Sequence, residues 1–182
     1  VAEWALGMIL IGLRNAGVHF RQMIAGEEWG APQQRESLKE FAHNEELTGK
    51  TVGLIGAGYI GRRLMEFLKP FDVDLLVHDP YVPFELASSL GFTLTSLDLV
   101  LSEPDVVVCL APLTPRTRGM LGRDEIYRIR SGGVFVNVSR GAIVDSTALI
   151  ERLEGGDLTA CLDVFDPEPV PTASRIRQLP NV

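Results

Sequence analysis

The segment from Thr51 to Gly61, TVGLIGAGYIG, leaves a chain few ways to fold. Val52 to Ile55 is an apolar run suited to a buried strand, three glycines interrupt it, and a helical spacing of apolar residues resumes from Tyr59 to Leu68. Strand, tight turn and helix in so short a stretch predict the first half of a β-α-β unit, because a parallel partner strand needs a crossover helix. Gly56 supplies the turn, Gly58 removes a side chain where a ligand would approach the backbone, and Gly61 lets the helix lie close on the sheet. The first amides of that helix, with the positive end of its dipole, favour a diphosphate. Glycines also serve plain packing, so the weight falls on the residues downstream.

Asp74 to His78, DLLVH, reads as a second buried strand and ends in Asp79-Pro80. Asp79 stands near the offset of roughly 20 residues at which an acid meets the ribose of a bound dinucleotide. A carboxylate there accepts from the 2'- and 3'-hydroxyls and repels a 2'-phosphate, which favours NAD over NADP. The plainer reading is that Asp79 opens a turn before Pro80.

From Thr51 onward the pattern alternates with little spare chain. Strands are expected over 51–56, 74–79, 92–94, 105–110, 133–138 and 158–164, and helices over 58–68, 83–90, 97–102, 124–130 and 146–153. Ser96 is placed to cap the helix after it. The run DVVVCL at 105–110 is apolar on both faces, as at the centre of a parallel sheet. The fold class is α/β: a Rossmann-type doubly wound parallel sheet of six or seven strands with helices on both faces. Ligands then lie past the carboxyl ends of the strands, where the chain carries the glycine loop, Asp79, APLTP, NVSRGAIVD and LDVFDPEP. Arg140, Asp145, Asp163, Asp166 and Glu168 stand out there.

With 46% hydrophobic and 23% charged residues, the chain can bury a full core and is expected to form one domain over residues 1–182. Its formal charge of −7 is interspersed rather than blocked, which argues against a nucleic-acid or anionic-membrane surface. Cys109 and Cys161 sit in apolar runs and read as small core residues, not as a disulfide or metal framework; no metal site is expected. A reducing, cytoplasmic setting is the default expectation. Trp4 to Leu13 is uncharged but too short to span a bilayer and has no basic leader; it predicts a helix that continues to about Ile24. Apolar residues around nearly its whole circumference suggest burial on more than one side, which points to a homodimer or to packing within the chain. Residues 26–48 read as a polar surface connection.

The ordered motifs VAEWALGMIL, GLIGAGYIG, VNVSRGAIVD, LDVFDPEP and LPNV make the chain similar to the nucleotide-binding domain of the D-isomer-specific 2-hydroxyacid dehydrogenases, over essentially all of its length. The resemblance implies NAD as cofactor and a small 2-hydroxy or 2-oxo acid as substrate. It implies loop amides from Tyr59 and Ile60, beside Gly56, Gly58 and Gly61, on the diphosphate, and Asp79 on the adenosine ribose. Ala111, Val138 and Ser139 would line the cofactor, and Asp163 would bind the nicotinamide carboxamide. Arg140 would take the substrate's carboxylate and keto oxygen in its planar fork. Glu168 would partner a catalytic histidine, raising its pKa so that it can protonate the forming alkoxide. Singly, each admits a plainer reading: Arg140 and Asp145 pairing across a turn, Asp163 capping a loop, Glu168 solvated between prolines.

That histidine is expected shortly after a Pro-Asn-Val run, and here Pro180-Asn181-Val182 closes the sequence. His19, His43 and His78 do not fit its place, and the small substrate domain has no counterpart. The expectation is a cofactor domain that binds NAD(H) without turning over 2-oxo acids by itself. The alternative is a non-enzymatic NAD-responsive module, because this resemblance extends to corepressors. Retention of Arg140 and Glu168 favours the enzyme.

Overall fold

A computed structural model describes residues 1–26 and 44–182. Most of the polar connection expected over 26–48, with Trp29, Pro32 and His43, lies outside the described residues.

Six strands form one parallel sheet: β1 (Thr51–Ile55), β2 (Asp74–His78), β3 (Thr93–Leu94), β4 (Val106–Cys109), β5 (Gly133–Asn137) and β6 (Leu158–Leu162). Their spatial order is β3-β2-β1-β4-β5-β6. The chain winds outward one way from β1 and then returns to its other side at β4, so the switch point falls between these two strands. Seven α-helices among the described residues cover the sheet: α1 (Ala2–Leu13), α2 (Ala16–Ile24), α3 (Tyr59–Leu68), α4 (Phe84–Leu90), α5 (Leu97–Ser102), α6 (Arg123–Arg128) and α7 (Ser146–Glu154).

The two-residue period of the strands sorts their side chains onto two cores. Val52, Leu54, Val106, Val108, Val134 and Val136 pack with Ile9 of α1 and Leu64 and Leu68 of α3. Ile55, Val107, Cys109 and Phe135 face the other way, against Leu101, Ile126, Leu149 and Leu153 of α5 to α7. Central strands apolar on both faces, as the run at 105–110 predicts, result from this double cover. Helix ends match the local chemistry: Ser96 Oγ accepts from the Leu99 amide at 3.3 Å, and Gly91 closes α4 at φ 75°.

The N-terminal helix departs from expectation. It stops at Leu13, and α2 starts afresh at Ala16, because Asn15 adopts the left-handed conformation at φ 48°, ψ 34°. Asparagine tolerates that region better than most residues, and the apolar pattern on either side conceals the break. α1 lies close on the sheet: a Cβ on Gly12 would meet Val134 Cγ1 at 2.5 Å. One face of α1 is buried, while Ile11 on it and Phe20, Met23 and Ile24 on α2 are exposed. Among the described residues no helix is long and apolar enough to cross a membrane.

Cys109 and Cys161 are both free and buried, as expected of core residues. Burial pushes the Cys109 thiol up to about 12 and the Cys161 thiol up to about 11, from an ordinary 9.0. The folded state therefore keeps protons that the unfolded chain releases. The resulting stability is complete below pH 9.0 and is lost as pH rises toward 11 and then 12. Each thiol should lower stability by up to about 1.4 kcal/mol per pH unit in that window. Denaturant titrations on either side of pH 9.0 check the trend, and thiol-reagent labelling should require unfolding.

Candidate functional site

The loops after β1, β2, β4, β5 and β6 converge at the carboxyl edge of the sheet. After β1 the chain turns through Gly56 at φ 106°, where a Cβ would stand 3.1 Å from the Ala111 nitrogen. A side chain there would be strained by the backbone conformation and would crowd the backbone of Leu110 and Ala111. Gly61, in the first turn of α3, would carry its Cβ 2.5 Å from the Gly56 carbonyl oxygen, so the helix can pack this closely on the strand end only without one. Gly58 differs, since a Cβ there would meet nothing within 4 Å. Among the described residues nothing requires that glycine.

Between these glycines Ala57 is held from two sides. Its amide donates to Asp79 Oδ2 at 2.8 Å, and its carbonyl accepts from Arg62 Nε at 3.0 Å. The other oxygen of Asp79 accepts from the Tyr81 amide at 2.9 Å. The plain turn reading of Asp79 therefore holds alongside its place beside the glycine loop. Each carboxylate oxygen keeps further lone-pair capacity for a hydroxyl donor. Gly58 caps α3, and its carbonyl takes the Arg62 amide at 3.0 Å; the amides of Tyr59, Ile60 and Gly61 precede that first helical bond. The first turn of α3 has no acid and its cap no side-chain acceptor, yet Arg62 and Arg63 come at once after it. That charge opposes the dipole and suits an external anion. An open groove of about 520 Å³ runs beside Tyr59, Arg62, Arg63 and Glu66.

Past β4 and β5, Ala111, Val138 and Ser139 are all buried. Ser139 Oγ donates to the Ala111 carbonyl, which ties the two loops. Asn137 organises the turn beneath: its Oδ1 accepts from the Ser139 amide at 3.0 Å, and its Nδ2 donates to the Arg140 carbonyl at 3.3 Å. Arg140 Nη1 donates to the Ser139 carbonyl at 2.7 Å. Among the described residues no acid forms an ion pair with Arg140. Asp145 does not pair with it; Asp145 Oδ1 instead caps α7, accepting from Thr147 and Ala148 amides at 2.9 and 3.1 Å.

The loop after β6 lies directly on Arg140's neighbour. A Cβ on Gly141 would stand 2.0 Å from the Phe165 carbonyl, so LDVFDPEP and NVSRG share one packed surface. Ser146 Oγ adds a bond to the Asp166 carbonyl at 2.7 Å. Glu168 is exposed on that loop. Asp163 caps no loop: its Oδ1 accepts from the indole Nε1 of Trp4 at 3.0 Å. Sequence reasoning missed Asn137, Arg62 and Trp4. Only Asn137 left a signal, as the polar end of an otherwise apolar strand. A separate cavity of about 230 Å³ opens at the opposite edge beside Asp105, Arg130 and Asp157. There Asp105 already bonds the Thr51 amide at 2.9 Å and Arg130 at 2.6 Å, an architectural arrangement.

His78 Nδ1 is 3.2 Å from the Thr95 carbonyl, His19 Nε2 is 3.1 Å from Asn44 Oδ1, and His43 is outside the described residues.

A doubly wound sheet with a glycine turn, an anion-ready helix end and an acid on the adjoining strand defines a dinucleotide-binding domain. Residues 6–182 match the family model "D-isomer specific 2-hydroxyacid dehydrogenase, NAD binding domain". The chain belongs to that family. It is 39% identical to mitochondrial formate dehydrogenase of Solanum tuberosum over 100% of its own length and 46% of that enzyme's. It is 35% identical to D-3-phosphoglycerate dehydrogenase of Methanocaldococcus jannaschii, over 100% of this chain and 33% of the relative. Among solved structures, NAD-dependent formate dehydrogenase of Staphylococcus aureus in complex with NAD superposes with a TM-score of 0.85 at 35% identity, covering 100% of this chain and 53% of that one. The chain thus spans about half the length, or less, of the relatives it matches.

Gly141→Ala should strain the Phe165 carbonyl and cost about 1–3 kcal/mol, the usual range for overpacking. Thermal denaturation measures the loss, and protease sensitivity of the LDVFDPEP loop should rise with it.

Proposed function

We propose that this chain is the cofactor domain, over residues 1–182, of an NAD-dependent dehydrogenase acting on a small D-2-hydroxy acid or its 2-oxo partner. The observation that carries the reading is the anion-ready start of α3 set beside Asp79, with Gly58 open where no atom of the described residues needs the space. These residues fit the diphosphate and adenosine sugar of NAD. Bound NAD supplies or accepts the hydride.

In this reading Tyr59 and Ile60 amides hold the diphosphate and Asp79 the ribose hydroxyls. Ala111, Val138 and Ser139 form the wall beneath the cofactor, supported by the buried Ser139–Ala111 bond. Asp163 receives the carboxamide and so sets which ring face is offered. Arg140, free of any acidic partner among the described residues, takes the substrate carboxylate. Glu168 steadies a histidine general acid supplied from outside the described residues. The named relatives include formate and phosphoglycerate dehydrogenases and give the non-enzymatic alternative no support. Formate and 2-hydroxy acids share the carboxylate that Arg140 would take, so both belong in a substrate panel.

A second copy of the chain is the proposed cover for the apolar face of α1 and α2, where Phe20 is 67% and Ile24 72% exposed. Sedimentation equilibrium tests the homodimer. A cytoplasmic setting accords with two free, buried thiols.

Calorimetry on this chain should show NADH binding without reduction of added pyruvate, hydroxypyruvate or glyoxylate. Turnover by the chain alone contradicts the proposed division of labour. Asp79→Arg should lower the ratio of NAD to NADP affinity by about tenfold or more, since it removes charge-assisted bonds and adds a phosphate partner. Unchanged selectivity in that variant removes Asp79 from the ribose site.

A further inference from the structure

Asp163 is held at two points that lie far apart in sequence. Its amide donates to the Asn137 carbonyl at 3.0 Å, fixing the backbone to the end of β5. Its Oδ1 accepts from Trp4 Nε1 at 3.0 Å, fixing the side chain to the first turn of α1. Gly12 lies against Val134 and Cys161, so α1 runs from the carboxyl edge of β6, at Trp4, back across the sheet. Trp4 itself is half-exposed, so its indole N–H finds this acceptor at the edge where the ligand loops converge, not in the core.

An indole N–H only donates, so it can bond the carboxylate but cannot compete with it for a second donor. An exposed aspartate otherwise presents two equivalent oxygens through a broad terminal torsion. With Oδ1 already accepting from Trp4, Oδ2 is the oxygen with both lone-pair positions open to an incoming N–H. We propose that Trp4 is a positioning residue for the nicotinamide end of the cofactor: by holding Oδ1 of Asp163 it restricts the carboxylate to one orientation, in which Oδ2 receives the carboxamide NH2. This rests on the assignment of Asp163 to the carboxamide in the proposed function. It adds that the first turn of α1, remote in sequence from every other ligand loop, takes part in setting the ring. The competing explanation is a tether that merely fastens α1 to the sheet.

The two explanations part when NAD is compared with ADP-ribose, which lacks the nicotinamide. Calorimetry on this chain should show Trp4→Phe weakening NAD binding by about fivefold, the value of one modest hydrogen bond, with ADP-ribose affinity unchanged. In an Asp163→Ala background the same substitution should have no further effect on NAD, because the two residues act as a unit. Equal loss for both ligands, no loss for either, or an undiminished effect in the Asp163→Ala background overturns the proposal. If Trp4→Phe fails to fold, benzothienylalanine at position 4 keeps the bicyclic shape, removes the N–H and is read the same way. If Asp163→Ala alone leaves NAD affinity unchanged, the assignment of Asp163 itself is overturned, an outcome distinct from a silent Trp4.

Discussion

Between Gly56 and Gly58 the backbone leaves the sheet and must find partners for its polar groups, and at Ala57 both are taken by side chains. Asp79 accepts the N–H at 2.8 Å and Arg62 donates to the carbonyl at 3.0 Å. The two peptide groups that flank the Ala57 α-carbon are thus each held by a side chain, and the next amides are aimed by the helix. The bond also ties the end of β2 to the end of β1, which places the acid beside the helix terminus. Preorganisation of this kind lowers the ordering cost of binding.

From that point the other loops are placed by contact. Gly56 touches the backbone at Ala111, Ser139 bonds the Ala111 carbonyl, and Gly141 lies under Phe165. Each link joins one strand end to the next, in the order β1, β4, β5, β6. The edge is therefore a continuous surface whose parts are fixed by sub-van-der-Waals exclusions and short polar bonds, with the apolar cores behind it.

Much of this was legible in the sequence because the relevant signals are local. Alternation of apolar runs and helical spacing located all six strands to within a residue or two, and Ser96 and Gly91 announced their helix ends. The residues at strand ends were legible too, since in a parallel doubly wound sheet every carboxyl end faces the same edge. What escaped were contacts between segments distant along the chain and one local backbone choice. Nothing near Trp4 points to Asp163, and the left-handed turn at Asn15 interrupts an apolar pattern that reads as continuous. Arg62 looks like a solvated helix residue until its side chain is seen folded back on the loop. Asn181 likewise reads as a loop residue but is buried, donating to the carbonyls of Leu153 and Leu158 at 2.9 and 2.7 Å.

The seat of Gly141 against the Phe165 carbonyl constrains how such a domain can change over time. Neither the arginine-bearing turn nor the proline-rich segment above it can be exchanged alone for a version from a more distant scaffold, because the two were fitted to each other without a spare atom. Change in this part of the surface is more easily reached by replacing both together than by piecemeal change within either.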